Sequence, residues 1–485
     1  MTHHEPCAFG KLNVMIPLSA AIRELFWPVM FRTSTIALLL FGFTAALFAL
    51  QPETASARSA QRKFSTPKHH AMTYRARIAA RRRAAHRAAA RANRKRHIAI
   101  QAIPDTPLNR AFDNAPSPAQ RPLKLLTRGE ILTSDPGRLE RLGRRLMVGF
   151  ENFAEVKTLV EKRAIAGIFI TDQNVRRRKA EDFAKDIRTL QGIRRSQGLP
   201  RLLVAADQEG GYVSRLSPPL KQQPSLGTLI APLNTDADRE KAVRAYADTQ
   251  AHELERLGIT MNFGPVVDLR LGGPGRDDGE THLYWRAISS DPYLIAKVAG
   301  WYCDALTKFN IICTLKHFPG LGRVMHDTHV SQGAIMVSET KLELSDWVPF
   351  RHVMHQPGVA TMIGHVRVMD IDATTPVSYS EAVINTVLRS RWHESDSLLI
   401  TDDFSMGAVI GSKDGIGGAA IRAVNAGVDL VLLRDSVKYF DTVMSALIEA
   451  DVNGELDKKR QNASHERLGR YVFFDDREPP VQAQQ

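Results

Sequence analysis

From residue 123 onward, short apolar runs rich in β-branched residues alternate with longer stretches of helical character. The runs are RRLMVGF (144–150), AIAGIFIT (164–171), RLLVAADQ (201–208) and ITMNFGPVVD (259–268), then NIICTLKHF (310–318), VATMIGHV (359–366), SLLITDDF (397–404) and VDLVLL (428–433). Between them lie AEDFAKDIRTLQGIRR (180–195), DADREKAVRAYADTQAHELERLG (236–258), DPYLIAKVAGWYCDALTKF (291–309) and SEAVINTVLRSRW (380–392). Strands that are apolar on both faces and separated by helices predict a parallel sheet covered by helices. Eight such units match an α/β fold, a single closed (β/α)8 barrel, although an open doubly wound sheet shares most of the pattern. No GxGxxG or GxxxxGK[ST] follows any strand, which counts against nucleotide binding.

The first third has a different pattern. Residues 1–33 form an extension, and the uncharged apolar run TSTIALLLFGFTAALFAL (33–50) has a length between a signal-peptide core and a short membrane span. Ala55-Ser56-Ala57 follows as an A-x-A cleavage pattern, and a start at Met30 would make an ordinary secretory signal; the long segment ahead of it favours an uncleaved anchor. The expectation is a protein anchored in the membrane or exported to the periplasm or cell envelope. The alternative is the cytoplasmic face of the inner membrane, because positive charges just after a span tend to stay in the cytoplasm.

Charge sharpens this division. The formal net charge of +13 lies wholly in residues 1–120, and residues 121–485 carry equal numbers of acidic and basic side chains. The tract TYRARIAARRRAAHRAAARANRKRH (73–97) has helical propensity but arginines on every face, so no apolar stripe docks it on a core. It reads as a solvated linker, or as a contact for anionic lipid or wall polymer; nucleic acid is not expected, since only Tyr74 interrupts the arginines with an aromatic ring. PDTPLNRAFDNAPSPAQRP (104–122) completes the linker over 51–122, the barrel is expected over 123–475, and 476–485 form a tail. Of three cysteines, Cys303 and Cys313 could pair in an exported protein, but the reading preferred is two buried small hydrophobes.

Polar residues gather where the strands end. Asp207, Asp268, Lys316, His317, His365 and Asp402 all fall at C-terminal strand ends, the face on which barrel enzymes keep their active sites. Asp268 and Asp403 are assigned to capping or loop support, and strand alternation allows only one of Asp402 and Asp403 to face the barrel axis. The loop segment KHFPGLGRVMHDTH (316–329) holds three histidines and an aspartate, but His326, Asp327 and His329 lack a second ligand pair at helical spacing, so no metal and no cofactor is expected. A serine triad is excluded by the absence of a G-x-S-x-G elbow. Glycoside hydrolysis fits better, since it needs one group that donates and recovers a proton and one anionic group that attacks. Asp327 could fix the tautomer of His329, and Asp402 could be the nucleophile.

The segments DQEGGYVSRL (207–216), YWRAISSDP (284–292), KHFPGLGRVMHDTH (316–329), MIGHVRVMDIDATTPVSYS (362–380) and ITDDFSMGAV (400–409) resemble, in order, the motifs of glycoside hydrolase family 3. The likeness is to its bacterial β-N-acetylhexosaminidase, NagZ-type, branch and runs over residues 130–450. It implies that Asp402 forms a covalent glycosyl-enzyme, that His329 is the acid/base with Asp327 as partner, and that Asp207, Arg215, Arg286, Lys316 and His317 hold a terminal N-acetylglucosamine. The implied reaction is retaining hydrolysis by an exo-acting monomer, with peptidoglycan fragments as the carbohydrate substrate. Leu321, Arg323 and Tyr212 depart from the family pattern beside the loop and the sugar pocket. Two rivals remain: a family 3 β-glucosidase, and a non-catalytic wall-binding protein that would be indifferent to Asp402→Asn.

Overall fold

The computed structural model describes residues 123–272, 281–324, 328–394 and 396–471. Each of the eight apolar runs forms a strand: β1 (Leu146–Gly149), β2 (Gly167–Ile170), β3 (Leu203–Ala206), β4 (Met261–Asn262), β5 (Ile312–Phe318), β6 (Val359–Ile363), β7 (Leu398–Asp403) and β8 (Leu430–Leu433). All neighbours pair in parallel, and β1 bonds to β8 as well as to β2, so the sheet closes in chain order. The barrel is the expected one, and the open sheet is excluded.

A helix follows every strand: α1 (Phe153–Glu161), α2 (Ala180–Ser196), α3 (Asp236–Leu257), α4 (Pro292–Thr307), α5 (Val348–Val353), α6 (Ala382–Arg391), α7 (Gly415–Ala426) and α8 (Ser436–Val452). Local chemistry sets their ends. The Thr235 hydroxyl accepts from Asp238 N ahead of α3, and Gly258, with φ 80°, ends that helix in the left-handed conformation. Asp291 caps α4 and Pro292 occupies its first turn, where a missing amide hydrogen costs nothing. The predicted helix at 380–392 is present as α6, but it is wound as a π-helix, with Trp392 N donating to Val387 O five residues back.

Two apolar layers account for the burial of both strand faces. Leu146, Val148, Val204, Leu399, Val431 and Leu433 pack outward against helices, whereas Met147, Phe169, Leu203, Met261, Phe263, Ile312, Met362, Leu398, Ile400, Leu430 and Leu432 fill the barrel. Burying each such large side chain contributes roughly 1.5–3 kcal/mol. The helix Lys458–Tyr471 covers the N-terminal mouth, where Leu468 joins the inner layer and the Tyr471 hydroxyl donates to Val359 O. Beneath it Asp429 accepts from both Arg389 and Arg467.

Cys303 and Cys313 are fully buried as expected, but they are joined by a disulfide, with Cα atoms 5.2 Å apart. The reading as two free hydrophobes is therefore corrected. The last turn of α4 packs on the first residues of β5, and that return after ten residues brings the two sulfurs together. Among the described residues no helix is long and apolar enough to cross a membrane. The apolar run 33–50, the basic tract 73–97, the linker to 122 and the tail 476–485 lie outside the described residues.

Candidate active site

Strand alternation aims the charged side chains. In β3, Leu203 and Ala205 belong to the inner layer, and the same face continues through Asp207 and Glu209; in β5 it runs from Ile312 to Lys316, and in β7 from Leu398 through Ile400 to Asp402. Asp207, Glu209, Arg215, Arg286, Lys316, His317, His329 and Asp402 all line one cleft at the C-terminal mouth. Thus every expected site residue except Asp327 is brought together there. Asp327, like His326, lies outside the described residues.

On one side of the cleft four charges compensate one another. Lys316 Nζ lies 2.6 Å from Asp207 Oδ1 and 2.5 Å from Glu209 Oε1, and Arg286 donates to both Glu209 oxygens, through Nε at 2.9 Å and Nη2 at 2.8 Å. Arg286 Nη1 donates to Thr281 O, so the guanidinium is fixed on three sides. Burial would raise the Glu209 carboxyl, yet Arg286 and Lys316 outweigh it and push its pKa down to about 2. Burial likewise disfavours the Lys316 ammonium, but Asp207 and Glu209 hold its pKa above the usual lysine value. Glu209 was not singled out in the sequence, although its place two residues beyond Asp207 on a continuing strand face was the available signal. Arg215 is exposed at the cleft edge, and its amide donates to Asp207 O.

Asp402 lines the same cleft. Burial would raise its pKa, but the His317 and His365 imidazoles and the Asp403 amide, which donates to Asp402 Oδ1 at 2.8 Å, together hold it below the usual aspartate value. Asp403 also borders the cleft, but its carboxylate is taken up by Ser405 N at 2.9 Å and Arg434 N at 3.0 Å. The two neighbours thus have different partners.

The two histidines are held by different partners. Asp268, buried, accepts from His317 Nδ1 at 2.7 Å, from His317 N and from Leu321 N at 2.7 Å, which is the expected loop support and also orients the imidazole. His365 Nε2 donates to Asp403 O at 3.0 Å, and its Nδ1 faces Ser378 Oγ at 2.9 Å. Burial lowers the His365 pKa against the pull of Asp402, and the ring braces the end of β7 through these two contacts.

His329 reaches the cleft from the loop after β5. Its carbonyl accepts from Gly407 N at 2.9 Å, and a Cβ on Gly407 would meet Val330 O at 2.5 Å and His329 O at 2.9 Å. Only glycine permits that approach, so Gly407→Ala is expected to push the His329 backbone outward and lower kcat on the order of 10- to 100-fold. Steady-state kinetics with a circular-dichroism melt would separate this from unfolding. The departures from the family pattern also have positions: Leu321 forms cleft wall, Arg323 Nε donates to the buried Asp346 at 2.8 Å, and Tyr212 stands exposed at the rim.

Residues 139–471 match the profile of the glycosyl hydrolase family 3 N terminal domain. The β-hexosaminidase LpqI of Mycobacterium tuberculosis is 30% identical over 320 residues, covering 65% of this chain and 78% of that protein. A β-hexosaminidase of Xanthomonas euvesicatoria is 31% identical over 290 residues, covering 59% of this chain and 81% of that protein. A solved family 3 β-N-acetylglucosaminidase from Paenibacillus superposes with a TM-score of 0.62 at 25% identity, over 71% of this chain and 66% of that one. With a closed barrel, a charged cleft at its C-terminal mouth and a family match across most of its length, the chain belongs to glycoside hydrolase family 3 and is a glycosidase.

Proposed function

We propose that the chain is a retaining exo-β-N-acetylglucosaminidase that removes terminal β-linked N-acetylglucosamine from peptidoglycan fragments. The observation that carries this is the half-buried Asp402 carboxylate, held below the usual aspartate pKa and facing the same cleft as His329, with the Asp207, Glu209, Lys316 and Arg286 cluster beside it. The hexosaminidase names of the relatives support the amino-sugar preference. An Asp402 oxygen attacks the anomeric carbon as the glycosidic bond breaks, and the departing oxygen takes a proton from His329. Water then gives its proton to His329 and attacks the same carbon, releasing Asp402. Asp327 is the proposed partner of His329. Asp207 and Lys316 are the proposed sugar-holding groups at depth, joined by Arg215, Arg286 and His317.

The deciding assay compares chromogenic β-N-acetylglucosaminide with β-glucoside. The amino sugar is expected to be cleaved faster, and His329→Ala to lose about 10²- to 10⁴-fold in kcat. Equal cleavage of the two substrates would transfer the reading to a β-glucosidase, and no cleavage by folded protein would favour the wall-binding rival. The Cys303–Cys313 disulfide supports an oxidising compartment, and hence export to the envelope. A reporter fusion after residue 120 tests the side of the membrane.

A further inference from the structure

The rim of the cleft carries aromatic surface that the proposed chemistry leaves unused. Tyr212, 60% exposed, sits at the tip of the hairpin made by Gln208–Gly210 and Val213–Ser214, and Trp285, 46% exposed, lies on the short helix Leu283–Arg286. The Tyr212 ring stacks on the His282 imidazole with centroids 5.2 Å apart and planes 21° apart, and it approaches Trp285 at 6.5 Å. Tyr284 meets Trp285 edge-on at 5.1 Å, and the Arg270 guanidinium lies 5.6 Å from the Tyr284 ring centroid. Four rings are therefore contiguous. Their support is rigid, because the paired Glu209 and Arg286 tie the hairpin to the helix directly beneath them.

Position and chemistry both indicate what these rings meet. Val213, Tyr284 and Arg286, the chain neighbours of Tyr212 and Trp285, line the cleft, and the exposed rings stand outside that lining but next to it in the chain. Large aromatic surface left in water beside a cleft marks a ligand groove. A pyranose with equatorial substituents has a face of axial C–H groups whose partial positive charge suits the negative face of an aromatic ring, while its hydroxyls remain at the wet edge. A terminal sugar held at depth by Asp207 and Lys316 would leave the next unit of the substrate at the rim.

We propose that Tyr212, His282 and Trp285 form a stacking platform for the sugar unit on the leaving-group side of the scissile bond. The platform makes the enzyme selective for a pyranosyl aglycone over a small alkyl one. This rests on the N-acetylglucosaminidase reading above. It also gives Tyr212, one of the departures from the family pattern, a function.

The test compares a β-1,4-linked N-acetylglucosamine disaccharide with methyl β-N-acetylglucosaminide, in the wild type and in Tyr212→Ala, Trp285→Ala and Tyr212→Phe. Each alanine variant is expected to lose roughly tenfold in kcat/KM on the disaccharide. The methyl glycoside should be cleaved by the same variants at the wild-type rate, and Tyr212→Phe should retain disaccharide cleavage because stacking needs the ring and not the hydroxyl. Equal losses on both substrates, or no loss on the disaccharide, would overturn the platform while leaving the glycosidase reading intact. A wild type that cleaves neither glycoside would remove that reading and the platform with it.

Discussion

Asp402→Asn is expected to lower kcat by about 10⁴-fold or more, with KM for the amino-sugar substrate nearly unchanged. The amide keeps the size of the carboxylate and its bond from Asp403 N, so the inner end of β7 should keep its shape. What disappears is the anionic oxygen that would form the covalent bond. The sign of the pH dependence follows from the site: with its pKa below the usual aspartate value, Asp402 is ionised at neutral pH, and activity is lost only as pH falls through that depressed value. Residual activity above a few per cent, with an unchanged melting transition, would move the attacking group elsewhere.

Glu209→Gln is expected to cost stability as well as activity. Its carboxylate is the shared partner of Lys316 and Arg286, and removing one member of a buried charge cluster typically costs about 3–5 kcal/mol, because the other charges stay buried. Linkage gives a similar magnitude. The pKa falls from an ordinary 4.5 to about 2 in the fold. This shift corresponds to about 3 kcal/mol, fully present above the unfolded value and lost as pH falls from there toward the folded one. Urea unfolding of wild type and variant at neutral pH should therefore differ by that amount, and the gap should close as the acid range is entered. A gap that stays constant with pH would mean that packing, not charge, made Glu209 important. KM should rise as well, since Arg286 loses the partner that holds it against the cleft.

Much of this molecule is legible from residue order. Eight apolar runs became eight strands because a doubly covered strand must be apolar on both faces, and that pattern is local. Asp207, Lys316 and Asp402 were legible for the same reason: each continues the inward face of a strand past its apolar part, so period two alone points it at the cleft. Asp402 and Asp403 both border the cleft and differ in their partners, which alternation alone did not specify.

Partnership was less legible. Glu209 stood in a quoted motif without a role, because its meaning comes from Arg286, 77 residues away, and from Lys316, on another strand. The cysteines looked like ordinary core residues until α4 folded back on β5. Tyr212 looked like a departure from a pattern, and its neighbours His282 and Trp285 reach it from the segment that follows the adjacent strand.

The sequence by itself determined eight strand–helix units and which strand-end residues share the inward face, because strand period is a property of the chain alone; that the sheet closes into a barrel was decided by the tertiary structure. Only the tertiary structure decided which charges neutralise one another, which histidine is braced by which carboxylate, and which rings stand exposed at the rim. Those depend on distances between loops from different strands, and closure of the sheet sets those distances.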